Sequence, residues 1–169
     1  MLPTFLAYGL AALALVRATP SQREDTPVTA AAGIEAGNYY LLNFATDETL
    51  FSQGAGQPVY TERTLGTGKP LGQWKVAPGA KPDEYKFYNI GSNMSTAGNN
   101  GHVYLSYPNG PSLTHVVTPA KGIEDMFIIT TPGYGTWANR WDSYYKKNQV
   151  FFTPNTGSFD QMWEFVRIN

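Results

Sequence analysis

One short phrase is written three times in this chain. An aromatic-led apolar run opens at Tyr39-Tyr40-Leu41-Leu42-Asn43, recurs at Tyr85-Lys86-Phe87-Tyr88-Asn89, and recurs again at Phe127-Ile128-Ile129-Thr130-Thr131. Val59-Tyr60, Val103-Tyr104 and Val150-Phe151 fall at matching places further along each copy. Three units of roughly 40 to 50 residues tile everything after residue 36, and a period of that size marks a fold built by repeating one supersecondary element.

The local chemistry says which element. Each unit alternates short runs of Tyr, Phe, Val, Ile and Thr with clusters of Gly, Pro and Asn, the composition of strands and turns. Tyr39, Leu41 and Asn43 share one face of an extended chain while Tyr40 and Leu42 share the other, a period of two. Asn99-Asn100-Gly101 precedes His102-Val103-Tyr104-Leu105, and Asn-Gly supplies the positive φ angles of a tight hairpin. Units one and three close on a tryptophan, in Gln73-Trp74-Lys75-Val76 and Met162-Trp163-Glu164-Phe165, so both indoles are expected in one core; unit two has Thr114-His115-Val116-Val117 there. Four strands in each of three units predict an all-β fold of β-trefoil type, a six-stranded barrel capped by three hairpins. Closure by repetition also removes exposed sheet edges. A propeller has at least four blades, and a sandwich leaves the triplication unexplained.

The amino-terminal stretch reads differently. Leu2 to Val16 is almost wholly apolar and ends in Val16-Arg17-Ala18, whose small residues suit signal-peptidase cleavage before Thr19. The run is shorter than the roughly 18 residues that argue for a membrane span. Residues 1–18 are therefore expected to be a signal peptide, 19–36 a flexible leader and 37–169 the β-trefoil of an extracellular, secreted protein with no membrane attachment after cleavage. The chain has no cysteine, so no disulfide reinforces it despite that destination. Without Arg17 the mature chain holds 11 basic against 13 acidic residues, which leaves no basic footprint for nucleic acid.

Catalytic and cofactor chemistry find little support. A thiol nucleophile and cysteine-ligated metals are excluded, and a Gly-x-Ser-x-Gly elbow is missing. His102 and His115 read as a turn residue and a structural residue. The acidic pairs Asp47-Glu48, Asp83-Glu84 and Glu124-Asp125 read as solvated turns, because neighbours in a strand face opposite ways. Gly133-Tyr134-Gly135-Thr136-Trp137-Ala138 copies a dinucleotide fingerprint in letters but lacks the following helix. A non-enzymatic protein without metal or cofactor is expected. Asn93-Met94-Ser95 is an N-glycosylation sequon.

The spacing from Gly37-Asn38-Tyr39 through Gln73-Trp74-Lys75-Val76 to Trp137, Gln149-Val150-Phe151 and Gln161-Met162-Trp163-Glu164-Phe165 resembles the fungal β-trefoil serine-protease inhibitors of the cospin (mycospin) type, over about residues 37 to 169. Mushroom cysteine-protease inhibitors (clitocypins and macrocypins) and ricin-B-type lectins are similar trefoils. The resemblance implies a protease as partner and places the reactive residue between the second and third strands, in Ser52-Gln53-Gly54-Ala55-Gly56-Gln57. That loop has no Arg or Lys to meet the buried Asp of a trypsin-like pocket, so chymotrypsin-, elastase- or subtilisin-like enzymes are the expected targets. Tyr144-Tyr145-Lys146-Lys147 is the alternative loop, chosen by its chemistry, and Thr64 to Gly72 is a further long loop. The alternative function is a carbohydrate-binding lectin of the ricin-B kind with a glycan partner. Gln161-Met162-Trp163 fits the Gln-x-Trp signature of that group, where the tryptophan belongs to the framework.

Overall fold

The computed structural model describes residues 33–63, 69–107 and 109–169. The expected signal peptide, the leader up to residue 32 and most of the Thr64 to Gly72 loop lie outside the described residues.

Twelve strands form in the predicted order, four to a unit. Unit one holds β1 (Gly37–Asn43), β2 (Glu48–Phe51), β3 (Tyr60–Glu62) and β4 (Trp74–Pro78). Unit two holds β5 (Glu84–Asn89), β6 (Met94–Asn99), β7 (His102–Leu105) and β8 (His115–Pro119). Unit three holds β9 (Met126–Thr131), β10 (Gly135–Asp142), β11 (Lys147–Thr153) and β12 (Met162–Arg167). The first and fourth strands of the units pair in a ring, β1 with β4, β4 with β5, β5 with β8, β8 with β9, β9 with β12 and β12 with β1. That ring is a closed six-stranded barrel. The second and third strands of each unit pair as a hairpin cap.

The caps meet through the three recurring valines. Val59 N–H donates to Val103 O (2.8 Å) and Val150 N–H donates to Val59 O (3.0 Å), and all three side chains are fully buried. Their matching places in the sequence therefore become one contact point between the units.

The register repeats with the units. Tyr39 stands opposite Trp74, Tyr85 opposite His115 and Phe127 opposite Trp163. Trp74 and Trp163 are fully buried, as expected, and each indole N–H donates to a backbone carbonyl, Leu50 O (3.0 Å) and Trp137 O (3.4 Å). Buried asparagines lock the turns before these tryptophans. Asn89 Nδ2 donates to Leu71 O (2.8 Å), holding the 3₁₀ turn Pro70–Gly72, and Asn43 Nδ2 donates to Asp160 O (2.9 Å), holding the 3₁₀ turn Phe159–Gln161. Gln161 is buried too; its side-chain carbonyl accepts from the Thr156 and Gly157 amides, and its NH₂ donates to Thr153 Oγ1 and Pro154 O. The Gln of the Gln-x-Trp phrase is thus a loop brace.

Unit two departs from this scheme in a coordinated way. His115 replaces the indole, and Thr131 on the neighbouring strand takes the place that Asn43 and Asn89 hold. The imidazole sits between Thr96 Oγ1 (2.6 Å, from Nε2) and Thr131 Oγ1 (2.7 Å, from Nδ1) and is fully buried. One N–H donor and one acceptor of a neutral ring satisfy both hydroxyls. Space that an indole would fill is used by Trp137 of unit three, whose ring meets His115 at 4.9 Å, Phe87 at 5.5 Å and Trp163 at 6.3 Å.

Packing begins before the expected domain boundary. Ile34 is buried within the main core cluster and the Tyr39 hydroxyl donates to Glu35 O (2.8 Å), so the end of the expected leader is seated on the barrel mouth. Arg167 at the other end of the chain pairs with Glu35.

Losing a buried tryptophan removes transfer energy and leaves a cavity, at about 3–5 kcal/mol. Unfolding free energies of Trp74→Ala and Trp163→Ala, measured by denaturant titration, should fall by that amount in each case; a change of a few tenths of a kcal/mol in either would mean that its indole is not a core element. His115 yields a pH prediction. Burial pushes its pKa down from 6.5 to about 3, so between those values the unfolded chain binds a proton that the folded chain refuses. Stability is therefore full above about pH 6.5 and declines as the pH drops toward 3. Unfolding free energies followed from pH 7.5 to pH 4.5 should slope downward in the native chain, and His115→Gln should flatten the slope.

Candidate functional site

The three caps differ in length, and among the described residues the third has the longest ladder. β10 and β11 pair over seven positions, from Thr136 opposite Thr153 to Asp142 opposite Lys147. The turn that holds Tyr144–Lys147 is consequently tight, because Trp141 pairs with Asn148 and Asp142 with Lys147. Asp142 builds that turn. Its Oδ1 accepts the backbone N–H groups of Tyr144 (2.8 Å) and Tyr145 (3.1 Å), and its Oδ2 meets His102 Nε2 at 3.3 Å. The Tyr145 amide, followed by the His102 side chain, holds the Asp142 carboxyl below the usual carboxylate range. His102 is thus more than a turn residue: its ring meets that of Phe151 at 4.1 Å, tilted by 41°, and ties the second cap to the third.

The alternative loop splits into exposed and anchored members. Tyr144 is 83% exposed and meets Tyr145 edge-on at 4.9 Å. Lys146 is exposed, in a left-handed conformation with φ 53°. Lys147 is anchored, its ammonium 3.9 Å from the centroid of the Tyr60 ring. Burial and the Glu62 carboxylate push the Tyr60 phenol up to about 12, which keeps it protonated beneath that cation.

The first candidate loop, Ser52–Gln57, lies where it was predicted, between β2 and β3, but it folds down onto unit two. Ser52 is buried, with its Oγ accepting from the Gly54 amide (3.1 Å), and Gly56 N–H donates to Leu105 O (2.9 Å). Gly56 has φ +67°, and a Cβ there would lie 2.4 Å from the Tyr107 hydroxyl, so glycine is what lets the loop seat. Ala55 is half-buried, leaving Gln53 and Gln57 as the exposed side chains.

A seam between units one and three brings together residues that sequence reasoning did not connect. On the face of β10 that carries Trp141, Asn139 turns inward, donating through Nδ2 to Thr46 Oγ1 (2.9 Å) and lying 3.0 Å from the Thr61 hydroxyl. Asn148, the cross-strand partner of Trp141, donates to Glu48 Oε2 (2.8 Å), which also accepts from Thr61. Thr46, Asp47 and Arg63 line a cavity of about 320 Å³ at this junction. Among the described residues Arg63 forms no ion pair, with Asp47 or any other carboxylate. Trp141 itself is 64% exposed, two residues beyond Asn139. An exposed indole on the strand whose Asn139 reaches Thr46, in a junction that also holds a guanidinium and a carboxylate, provides an apolar platform with polar donors and acceptors within the same seam. A sequence signal is present in Asn139-Arg140-Trp141-Asp142, where an aromatic falls amid polar residues at a hairpin end; Asp47 in sequence reads only as a turn residue.

No protein-family model matches the chain, and no curated protein matches it by sequence. Solved structures do match it in fold. A designed threefold-symmetric protein, ThreeFoil, aligns with a TM-score of 0.66 at 16% identity over 78% of this chain and 99% of its own. The Rhizoctonia solani agglutinin aligns with 0.65 at 18% identity over 80% and 97%. A Macrolepiota procera ricin B-like lectin, solved in complex with lactose, aligns with 0.65 at 12% identity over 80% and 99%. The fold is a β-trefoil, as the triplicated sequence predicts. At these identities the likeness extends to the fold alone.

Asp142→Ala removes the oxygen that accepts both turn amides and the His102 contact. Hydrogen exchange at the Tyr144 and Tyr145 amides should accelerate markedly, while the amides of the barrel strands keep their protection. Unchanged exchange at those two amides would show that the turn holds without the carboxylate.

Proposed function

We propose that the protein is a secreted, non-enzymatic lectin that binds a glycan at the seam of Trp141, Thr46, Asp47 and Arg63. The observation that carries this reading is the exposed Trp141 indole on the strand whose Asn139 is hydrogen-bonded to Thr46 of a polar cavity. The C–H face of a pyranose ring is apolar and packs on an indole, while its hydroxyls need donors and acceptors of the kind that Arg63 and Asp47 present. The hairpin is ordered before binding, so little conformational entropy is lost when sugar docks. Two of the fold relatives reported above are an agglutinin and a lactose-bound lectin, and their scaffold gives the reading further support.

Protease inhibition is the second reading, and the Tyr144–Lys147 turn is the observation that favours it. A turn fixed by Asp142 projects Tyr144 and Lys146 outward, as insertion into a protease cleft demands. Lys146 is the residue suited to a basic-specific pocket, since Lys147 is held on Tyr60. The Ser52–Gln57 loop supports this reading less, because its middle is drawn onto unit two.

A glycan array probed with the secreted protein, run beside a panel of serine and cysteine proteases, separates the two. Binding that free sugar competes away is expected, and Trp141→Ala and Arg63→Ala should each weaken it at least about tenfold, equivalent to about 1.4 kcal/mol, without moving the unfolding midpoint. Sugar binding indifferent to Trp141→Ala would remove the seam as the site. Micromolar protease inhibition lost in Lys146→Ala, together with an empty glycan array, would replace the lectin reading with the inhibitor one.

A further inference from the structure

Beyond this binding function, we infer that Asn93 carries an N-linked glycan, attached before unit two folds, and that its first sugar rests over a cavity floored by Tyr88 and Tyr107. Asn93 is exposed at the end of the β5–β6 turn, with φ 53°. The turn around it is fixed by Asn89, whose Oδ1 accepts from the amide and the hydroxyl of Ser92 (3.1 Å each). An exposed asparagine on a turn fixed in this way leaves room for a bulky, hydrophilic adduct.

The rest of the sequon has the opposite environment. Ser95 is buried on β6, its hydroxyl 3.0 Å from that of Ser106, and its carbonyl accepts the Ser106 amide (2.8 Å). Transfer to an Asn-x-Ser site depends on the serine as well as the asparagine, so the reaction must occur while β6 is still unpaired with β7. In that step Asn93 Nδ2 bonds to the anomeric carbon of an oligosaccharide held on a lipid diphosphate. The bond from that carbon to the diphosphate oxygen breaks, the lipid diphosphate departs, and one amide proton is lost.

A second observation indicates where the sugar goes. Asn93 lines a cavity of about 400 Å³ together with Tyr88, Ser92, Met94 and Tyr107. Tyr107 is 69% exposed and Met94 only partly buried, so apolar surface there faces water. A sugar ring anchored at Asn93 covers that surface without any loss of translational freedom, because the covalent bond already holds it in place.

Conformation alone offers a rival explanation for the asparagine. Asp47, Asn93 and Gly135 each follow the last residue of the opening strand by four positions, and all three have positive φ. Asn93→Asp separates the two roles, since aspartate tolerates that backbone but presents no amide. The full chain should be expressed in a eukaryotic secretory host and examined with and without peptide-N-glycosidase. The secreted wild type should lose mass on digestion, while Asn93→Asp and Ser95→Ala should each be secreted at the undigestible mass. Complete removal of the glycan should lower the melting temperature by about 2–4 °C, whereas trimming to the first sugar should leave it unchanged. A wild-type chain without an enzyme-sensitive increment overturns the attachment, and equal melting of the trimmed and fully stripped proteins overturns the seat on the tyrosines. Neither variant should alter glycan-array binding, so this test stands or falls apart from the seam.

Discussion

Everything in this molecule rests on one cross-strand contact made three times. A strand-opening aromatic faces a strand-closing ring, as Tyr39 faces Trp74, Tyr85 faces His115 and Phe127 faces Trp163. Because the closing strand also pairs with the next unit, Trp74 on β4 faces Asn89 of β5, and Trp163 on β12 faces Asn43 of β1. Each large side chain therefore packs its own unit and helps to close the barrel against its neighbour. A chain without cysteine has no covalent reinforcement to substitute for that packing.

The symmetry is broken where an interior ring became polar, and the break is complete rather than local. An imidazole in an apolar interior needs partners for both nitrogens, and Thr96 and Thr131 provide them. With Thr131 in place, the third opening strand lacks the asparagine that locks a preceding 3₁₀ turn in the other two units. Trp137 then packs beside the imidazole. Its indole N–H donates to Thr131 Oγ1 (3.1 Å), so one hydroxyl serves both rings. Buried polar groups gathered this tightly favour a single arrangement of the core, because any slip leaves one of them unpaired.

Differences between the caps separate scaffold from site. The first cap is short and its loop is tied to unit two; the second reaches across to the third through His102 and Asp142. The third alone extends seven paired positions, and it carries Trp141 and Tyr144 outward. Its base is nevertheless held by Asn139, Asn148 and Lys147, all of which contact unit one. A surface feature braced by another repeat gains stiffness that a free loop lacks, and binding sites on otherwise regular scaffolds are commonly placed in this way.

The sequence by itself determined the repeat, the strand character and the trefoil. These depend on local periodicity and turn chemistry, which neighbouring residues carry without help from distant ones. Tyr39, Leu41 and Asn43 show their shared face in the spacing alone, and the same holds for the closing Trp74 and Trp163. Tertiary structure decided what no local pattern encodes. It placed His115 in the indole's position with its two threonines, drew Ser52–Gln57 onto Tyr107, and brought Thr46, beside the Asp47 of a plain turn, against Asn139 of the strand that bears Trp141. Those meetings join residues some 16 to 93 positions apart in the chain, and only the closing of the barrel fixes which of them touch.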